Sequence, residues 1–228
     1  FPTPLDGIHL EVKGLMILLL CGVQLKELLI NLEIKEGEAI GIFGESGSGK
    51  STLVNLITGL FTPSGGKIYS DGKEIAKNIF SWRENIGYVP QSIFLLDDSI
   101  KNNIAFGVNE EKIDLNNINY AIENSELDSF VDKLENKIDT NVGEKGVKIS
   151  GGQLQRVGIA RALYHNPKIL IFDESTSSLD KKTEQEILAN LYSFKKRKTI
   201  IFITHKVDLL NNCDHVYELK KNNIHKVR

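Results

Sequence analysis

The stretch Gly44-Glu45-Ser46-Gly47-Ser48-Gly49-Lys50-Ser51-Thr52 constrains this chain more than any other. It fits G-x-x-x-x-G-K-[ST], a phosphate-binding P-loop. The apolar run Ala39 to Phe43 before it reads as a buried strand. Leu53 to Leu60 after it is apolar at helical spacing, with Gly59 and Pro63 as stop signals. Strand, glycine loop and helix are the arrangement that phosphate binding needs. The glycines let the backbone curl and keep side chains away from the phosphate. The loop N–H groups then point inward, at the positive end of the helix. Lys50 adds a point charge for β- and γ-phosphates, and the Ser51 hydroxyl is placed to bind Mg²⁺. A glycine turn with a chance lysine is the competing reading, and four later motifs weigh against it.

Length and composition set outer limits. The chain has 228 residues, which allows one large domain or two small ones. A hydrophobic content of 41% provides for a sizeable core. The net charge of −2 gives no general reason to expect nucleic acid or an anionic membrane. Cys21 and Cys213 lie far apart without metal-ligand company, which suggests buried thiols in a reducing compartment. The longest apolar stretch, Leu15 to Cys21, falls short of the roughly 20 residues of a membrane span. It begins too late for a signal peptide and follows Asp6 and Glu11. It reads as a buried strand.

Phe1 to Gly7 carries two prolines and a glycine and reads as the end of a linker. Ile8, Leu10 and Val12 alternate as in a strand, and Leu28 to Ile34 forms another. Lys67-Ile68-Tyr69 with the Asp71-Gly72 turn predicts a hairpin. Ile86 to Gln91 reads as a strand ending at Gln91. From Ser99 to about Glu135 the apolar spacing is helical: Ile118, Ala121, Ile122 and Ser125 share one face, and Leu127, Val131 and Leu134 another. Ser150 opens a helix that ends near Asn166-Pro167. Ile169 to Phe172 is a continuous apolar strand that ends in Asp173-Glu174. Ile187, Leu188, Leu191 and Phe194 line an amphipathic helix, and Thr199 to Thr204 reads as the last core strand. Buried strands alternating with helices predict a largely parallel α/β sheet. Ligands collect at the carboxyl ends of such strands, where Phe43, Gln91, Asp173, Glu174 and His205 fall. The basic run Lys195-Lys196-Arg197-Lys198 sits at a helix C-terminus and reads as a solvated turn rather than a nucleic-acid contact.

Together these motifs resemble the nucleotide-binding domain of an ATP-binding cassette (ABC) transporter, over roughly Glu33 to Asp214. The discriminating element is Ile149-Ser150-Gly151-Gly152-Gln153, which is similar to the family signature with Ile in place of the usual Leu. A Ser-Gly-Gly turn at a helix start is a second anion site. The resemblance implies that Ser150, Gly151, Gly152 and Gln153 bind the γ-phosphate held by the P-loop of a partner subunit. Phe172-Asp173-Glu174 resembles the Walker B segment. It implies that Asp173 holds Mg²⁺ and that Glu174 is the general base on the attacking water. An apolar strand that delivers two acids is costly unless they act. Ser177-Ser178-Leu179-Asp180 resembles the D-loop, with Ser where Ala is usual, which places Asp180 at the dimer interface. Gln91 matches the Q-loop glutamine at Mg²⁺ or water, and His205 the switch histidine that reaches the γ-phosphate. His9, His165, His215 and His225 lack such context and read as surface or packing residues. Asp97 to Gly107 and Asn141 to Gly146 resemble the exporter segments after the Q-loop and before the signature. There Glu144 would face the membrane domain.

The resemblance implies a P-loop NTPase (RecA-like) core with an antiparallel β subdomain and a helical subdomain at about 92–160, within a cassette over 8–228. It implies ATP and Mg²⁺, catalysis by Glu174, His205 and Gln91, and nucleotide contacts from Gly44 through Thr52. It further implies a head-to-tail dimer on the cytoplasmic face of a membrane. A transmembrane domain would be fused N-terminally, and no nucleic acid is expected. The function expected is ATP-driven export or lipid flipping. The alternatives are a soluble cassette ATPase without transport, or a non-hydrolysing ATP-binding module. One departure stands out: the family places an aromatic residue upstream of the P-loop to stack on adenine, and here Leu18 to Leu20 are aliphatic. Such stacking is worth roughly 1–3 kcal/mol per base in nucleic-acid complexes, so ATP binding is expected to be about tenfold weaker or more.

Overall fold

The computed structural model describes residues 7–16, 27–143, 146–175, 181–220 and 223–228. Several expectations lie outside those residues: the linker reading of 1–6, the apolar run from residue 17 to Cys21 with Leu18 to Leu20, Glu144, and the D-loop with Asp180. The chain divides into two compact units, one from Phe1–Ile86 with Phe194–Arg228 and one over Gly87–Ser193.

The first unit opens with strands β1 (Gly7–Met16), β2 (Glu27–Lys35) and β3 (Ala39–Phe43). In β2, Ile30, Leu32 and Ile34 are buried while Asn31, Glu33 and Lys35 are exposed, the period-2 pattern of a half-buried strand. β3 instead buries four consecutive residues from Ala39 to Ile42, because both its faces are covered. Helix α1 (Lys50–Ile57) follows the glycine loop, then the hairpin β4 (Lys67–Ser70) and β5 (Lys73–Glu74), then α2 (Ile79–Glu84). The single tryptophan, Trp82, is buried, and its indole N–H donates to the Ile57 carbonyl at 2.7 Å, tying α2 to the end of α1.

The second unit takes up β6 (Ile86–Val89), β7 (Asp98–Ser99), α3 (Ile100–Ile104), α4 (Leu115–Asn124), α5 (Asp128–Val131), β8 (Asn141–Val142), α6 (Gly151–Leu163), β9 (Ile169–Asp173) and α7 (Lys181–Ser193). Ile118, Ala121, Ile122 and Ser125 are all buried on α4, as their spacing predicts. The face assigned to Leu127, Val131 and Leu134 is shorter than expected, since α5 stops at Val131 and Leu134 is only half-buried. Strand β6 stops at Val89 rather than Gln91, since Pro90 has no N–H to continue the ladder.

The chain returns to the first unit with β10 (Thr199–Thr204), β11 (His215–Lys220) and β12 (Asn223–Lys226). The strand order there is β5-β4-β1-β2-β12-β11-β3-β10. β3 is parallel to both β10 and β11, whereas β1, β2, β4 and β5 form an antiparallel meander. Thr199 to Thr204 is therefore not the last core strand: β11 follows and buries Val216, Tyr217 and Leu219. Its interspersed charges, Glu218 and Lys220, conceal it in the sequence. Asp214 fastens this strand's start, its Oδ2 accepting from the Ala39 N–H at 2.8 Å and its Oδ1 from the Lys195 ammonium at 2.8 Å. The basic run is likewise less solvated than expected. Lys198 is buried, and burial together with nearby Arg197 lowers its pKa. Lys196 takes a positive φ of 68° and donates its N–H to the Gly37 carbonyl, closing the turn.

Candidate functional site

In the first unit the P-loop is built as the sequence predicts. Gly47 and Gly49 take φ of 78° and 106°, values that side chains rarely tolerate. Gly44 is fixed for another reason: a Cβ there would lie 2.4 Å from the Leu219 carbonyl oxygen of β11. Gly49 caps α1, so Lys50 and Ser51 stand on its first turn. Lys50 is buried, and its ammonium donates to the Gly44 carbonyl at 2.8 Å and the Glu45 carbonyl at 3.1 Å. The loop is thus wrapped around a cation, as an anion site requires. The Ser48 hydroxyl oxygen is buried with no hydrogen-bond partner among the described residues. Glu45, Ser46, Gly47 and Ser51 are exposed, and Gly44, Ser48, Gly49 and Thr52 are half-buried. His205 is exposed directly after β10.

In the second unit, β9 buries Ile169 to Phe172 and ends on Asp173. Glu174 follows at a positive φ of 47°, a strained value for a side-chain-bearing residue. The Gln91 side-chain amide donates to Glu174 Oε2 at 3.1 Å, which brings two predicted site residues together. The Tyr88 hydroxyl donates to Asp173 Oδ2 at 3.1 Å. Burial, then the charge of Asp173 and the hydrogen bond to it, push the Tyr88 pKa up to about 12, which keeps the phenol a donor. No motif marks Tyr88. Only the register of β6 beside β9 puts it there.

The Ser150–Gln153 turn forms a reciprocal cap on α6. Ser150 Oγ accepts from the Gln153 N–H at 3.2 Å, and the Gln153 side chain accepts from the Ser150 N–H at 2.8 Å. Gly152 sits 3.0 Å, measured from a would-be Cβ, from the Thr183 methyl group, whereas Gly151 has nothing within 4 Å. Along the same helix, Arg156 pairs with Glu126 and Glu186. Arg161 donates to the Asn103 carbonyl at 2.9 Å and the Phe94 carbonyl at 3.0 Å, and lies over the Phe106 ring. Burial lowers the Arg161 pKa.

The segments 97–107 and 141–143 adjoin each other. β7 and β8 pair, and the Ile100 N–H donates to the Thr140 carbonyl at 3.0 Å. Gly143 turns at φ 112°, where a Cβ would meet Asp97 Oδ1 at 2.6 Å. Asn103 is fully buried beneath this pair. Its amide donates to the Leu96, Asp98 and Ser99 carbonyls and its oxygen accepts from the Leu96 N–H. Sequence reasoning missed Asn103, Arg156 and Arg161, because a buried hub has no local signature.

Comparison with known proteins gives the family. A family profile described as ABC transporter matches residues 29–177. The chain belongs to the ABC transporter family. It is an ATPase domain of that family, with the P-loop NTPase fold. It is 43% identical over 199 residues to the alpha-hemolysin translocation ATP-binding protein of Escherichia coli, covering 86% of this chain and 27% of the relative. It is 42% identical over 196 residues to the leukotoxin translocation ATP-binding protein of Mannheimia glucosida, with the same coverage of 86% and 27%. The ATP-dependent lipid A-core flippase of Ralstonia nicotianae is 39% identical over 197 residues, covering 86% of this chain and 33% of the flippase. The structure of a bacterial Atm1-family ABC exporter with ATP bound superposes with a TM-score of 0.82 at 33% identity, covering 96% of this chain and 38% of that one. The chain therefore spans about a quarter to a third of these relatives' length. Among the described residues no helix is long and apolar enough to cross a membrane.

Proposed function

We propose that this chain is the motor of an ABC exporter or lipid flippase, in which two copies close head to tail on ATP and part after hydrolysis. The observation that carries the reading is the end of β9. A fully apolar strand delivers Asp173 and Glu174, and each is held by a hydrogen-bond donor. Lys50 neutralises β- and γ-phosphate oxygens, and the loop N–H groups from Gly44 to Thr52 hold the rest of the polyphosphate. Among the described residues no three His, Cys, Asp or Glu side chains group into a metal cage. That suits Mg²⁺, which binds through one or two carboxylates plus substrate phosphates. Ser51, Gln91 and Asp173 would hold the ion, which when bound neutralises charge on the phosphate oxygens. Glu174 takes the proton of the attacking water, with Gln91 orienting its carboxylate, and His205 steadies the γ-phosphate.

Gly151 supports the dimer. Among the described residues nothing lies within 4 Å of where a Cβ would stand there. A glycine there would leave room for a close approach from outside the chain, where the turn would meet the partner's γ-phosphate with Asp180 at the same interface. The membrane partner is an N-terminally fused transmembrane domain, and the motor lies at the membrane's cytoplasmic face, with 92–160 as its helical subdomain. Exposed Leu60 and Phe61 line a pocket of about 410 Å³ in the first unit, with Phe80 exposed on α2. Apolar surface of this kind marks a covered face. Sedimentation of Glu174→Gln with ATP and Mg²⁺ tests the dimer. A stable dimer that dissociates when EDTA strips the Mg²⁺ is expected, and a monomer at saturating ATP would contradict the reading.

A further inference from the structure

We infer that Tyr88 is a positioning residue for the metal-holding carboxylate, fixing the orientation of Asp173 through a hydrogen bond to its Oδ2. The inference rests on the assignment of Asp173 to Mg²⁺ made above. A carboxylate has two oxygens with about four acceptor sites and rotates about its last bond unless something holds it. Asp173 is the last residue of β9 and is half-buried. The Tyr88 hydroxyl reaches it from the neighbouring β6, donating to Oδ2 at 3.1 Å. The ring that carries this hydroxyl is anchored at both sides in sequence: Gly87 and Val89 are buried. Gly87 in turn is locked, since a Cβ there would lie 2.5 Å from the Ala162 carbonyl oxygen of α6. The donor is thus mounted on a rigid element and aimed at one oxygen of one acid.

The neighbouring acid is held in the same manner by a different residue. Gln91, three positions on, donates to Glu174 Oε2 at 3.1 Å. One short segment, Tyr88 to Gln91, therefore supplies a separate donor to each member of the acidic pair. Glu174 is assigned proton transfer and Asp173 the ion, so the two donors govern two separable properties. Loss of the Tyr88 hydroxyl is expected to act on metal use and to leave the metal-free grip on nucleotide unchanged. Groups that orient a ligand carboxylate typically govern 10–100-fold in metal affinity. Tyr88 is partly solvent-exposed, so the lower end applies.

The test is Tyr88→Phe in the full chain, with a fluorescent ATP analogue as the probe. Equilibrium binding is measured in EDTA and across a Mg²⁺ series. The expected result is unchanged affinity in EDTA and a Mg²⁺ midpoint raised roughly tenfold. ATP turnover should recover when Mg²⁺ is raised to saturation. The ring is retained, so the melting temperature should stay within about 4 °C of wild type. An unchanged Mg²⁺ midpoint overturns the inference. So does an equal loss of affinity with and without Mg²⁺, which is what a merely structural role produces. Asp173→Asn run alongside separates the two levels: if it too leaves the Mg²⁺ midpoint unmoved, the assignment of Asp173 itself is wrong.

Discussion

Two glycines, Gly44 and Gly151, illustrate how single residues divide between folding and function. Gly44 is required by its own chain, since any side chain would run into the Leu219 carbonyl at 2.4 Å. Gly44→Ala is expected to lose about 1–3 kcal/mol of stability in denaturant unfolding, the usual cost of overpacking. Among the described residues, a Cβ at Gly151 meets nothing within 4 Å. Gly151→Ala should stay within about 0.5 kcal/mol of wild type, yet lose the ATP-driven dimer in sedimentation. A large stability loss at Gly151 would show that its glycine is structural after all. The missing aromatic upstream of the P-loop belongs to this scale too. It predicts that ATP and triphosphate-bearing analogues without adenine bind with more similar affinity than an adenine-stacking site would allow.

Among the elements, the β7–β8 pair and the return strand β11 carry sharp expectations. Asn103 beneath the pair makes four hydrogen bonds to the backbone of residues 96–99 and is fully buried. Asn103→Ala removes those four bonds and the contact of Arg161 with Asn103 Oδ1, and should cost about 2–4 kcal/mol in chemical denaturation. Asp214 joins the start of β11 to β3. Burial pushes its carboxyl up, but the Lys195 ammonium, the Ala39 N–H and nearby His215 outweigh this and hold it below the usual range. Its contribution is therefore present above about pH 4 and is lost as pH falls through its folded value. Asp214→Asn should be less stable at neutral pH, and its stability should fall less steeply between pH 5 and pH 2 in thermal melts. The P-loop unit, β9 and α4 were legible in the sequence because each declares itself within about a dozen neighbouring residues, through periodicity or a glycine pattern. β11 was not, because Glu218 and Lys220 interrupt its apolar run. The pairing of Asp98 and Ser99 with Asn141 and Val142, the bond from Arg161 to Asn103 and the Tyr88–Asp173 bond join residues tens of positions apart. Their signal lies in strand register, which no local pattern carries.

At the scale of the whole molecule, the chain matches 27–33% of the length of its relatives. Its own residues supply a phosphate grip, an acidic pair and a signature turn. The central claim is that Glu174 is the base that hydrolyses ATP, and the most direct measurement is phosphate release by the purified chain and by Glu174→Gln at saturating ATP and Mg²⁺. The account predicts turnover by the wild type, and a loss of at least about a hundredfold, the scale of general base catalysis, in a variant that still binds ATP. Equal turnover by the two proteins would contradict it.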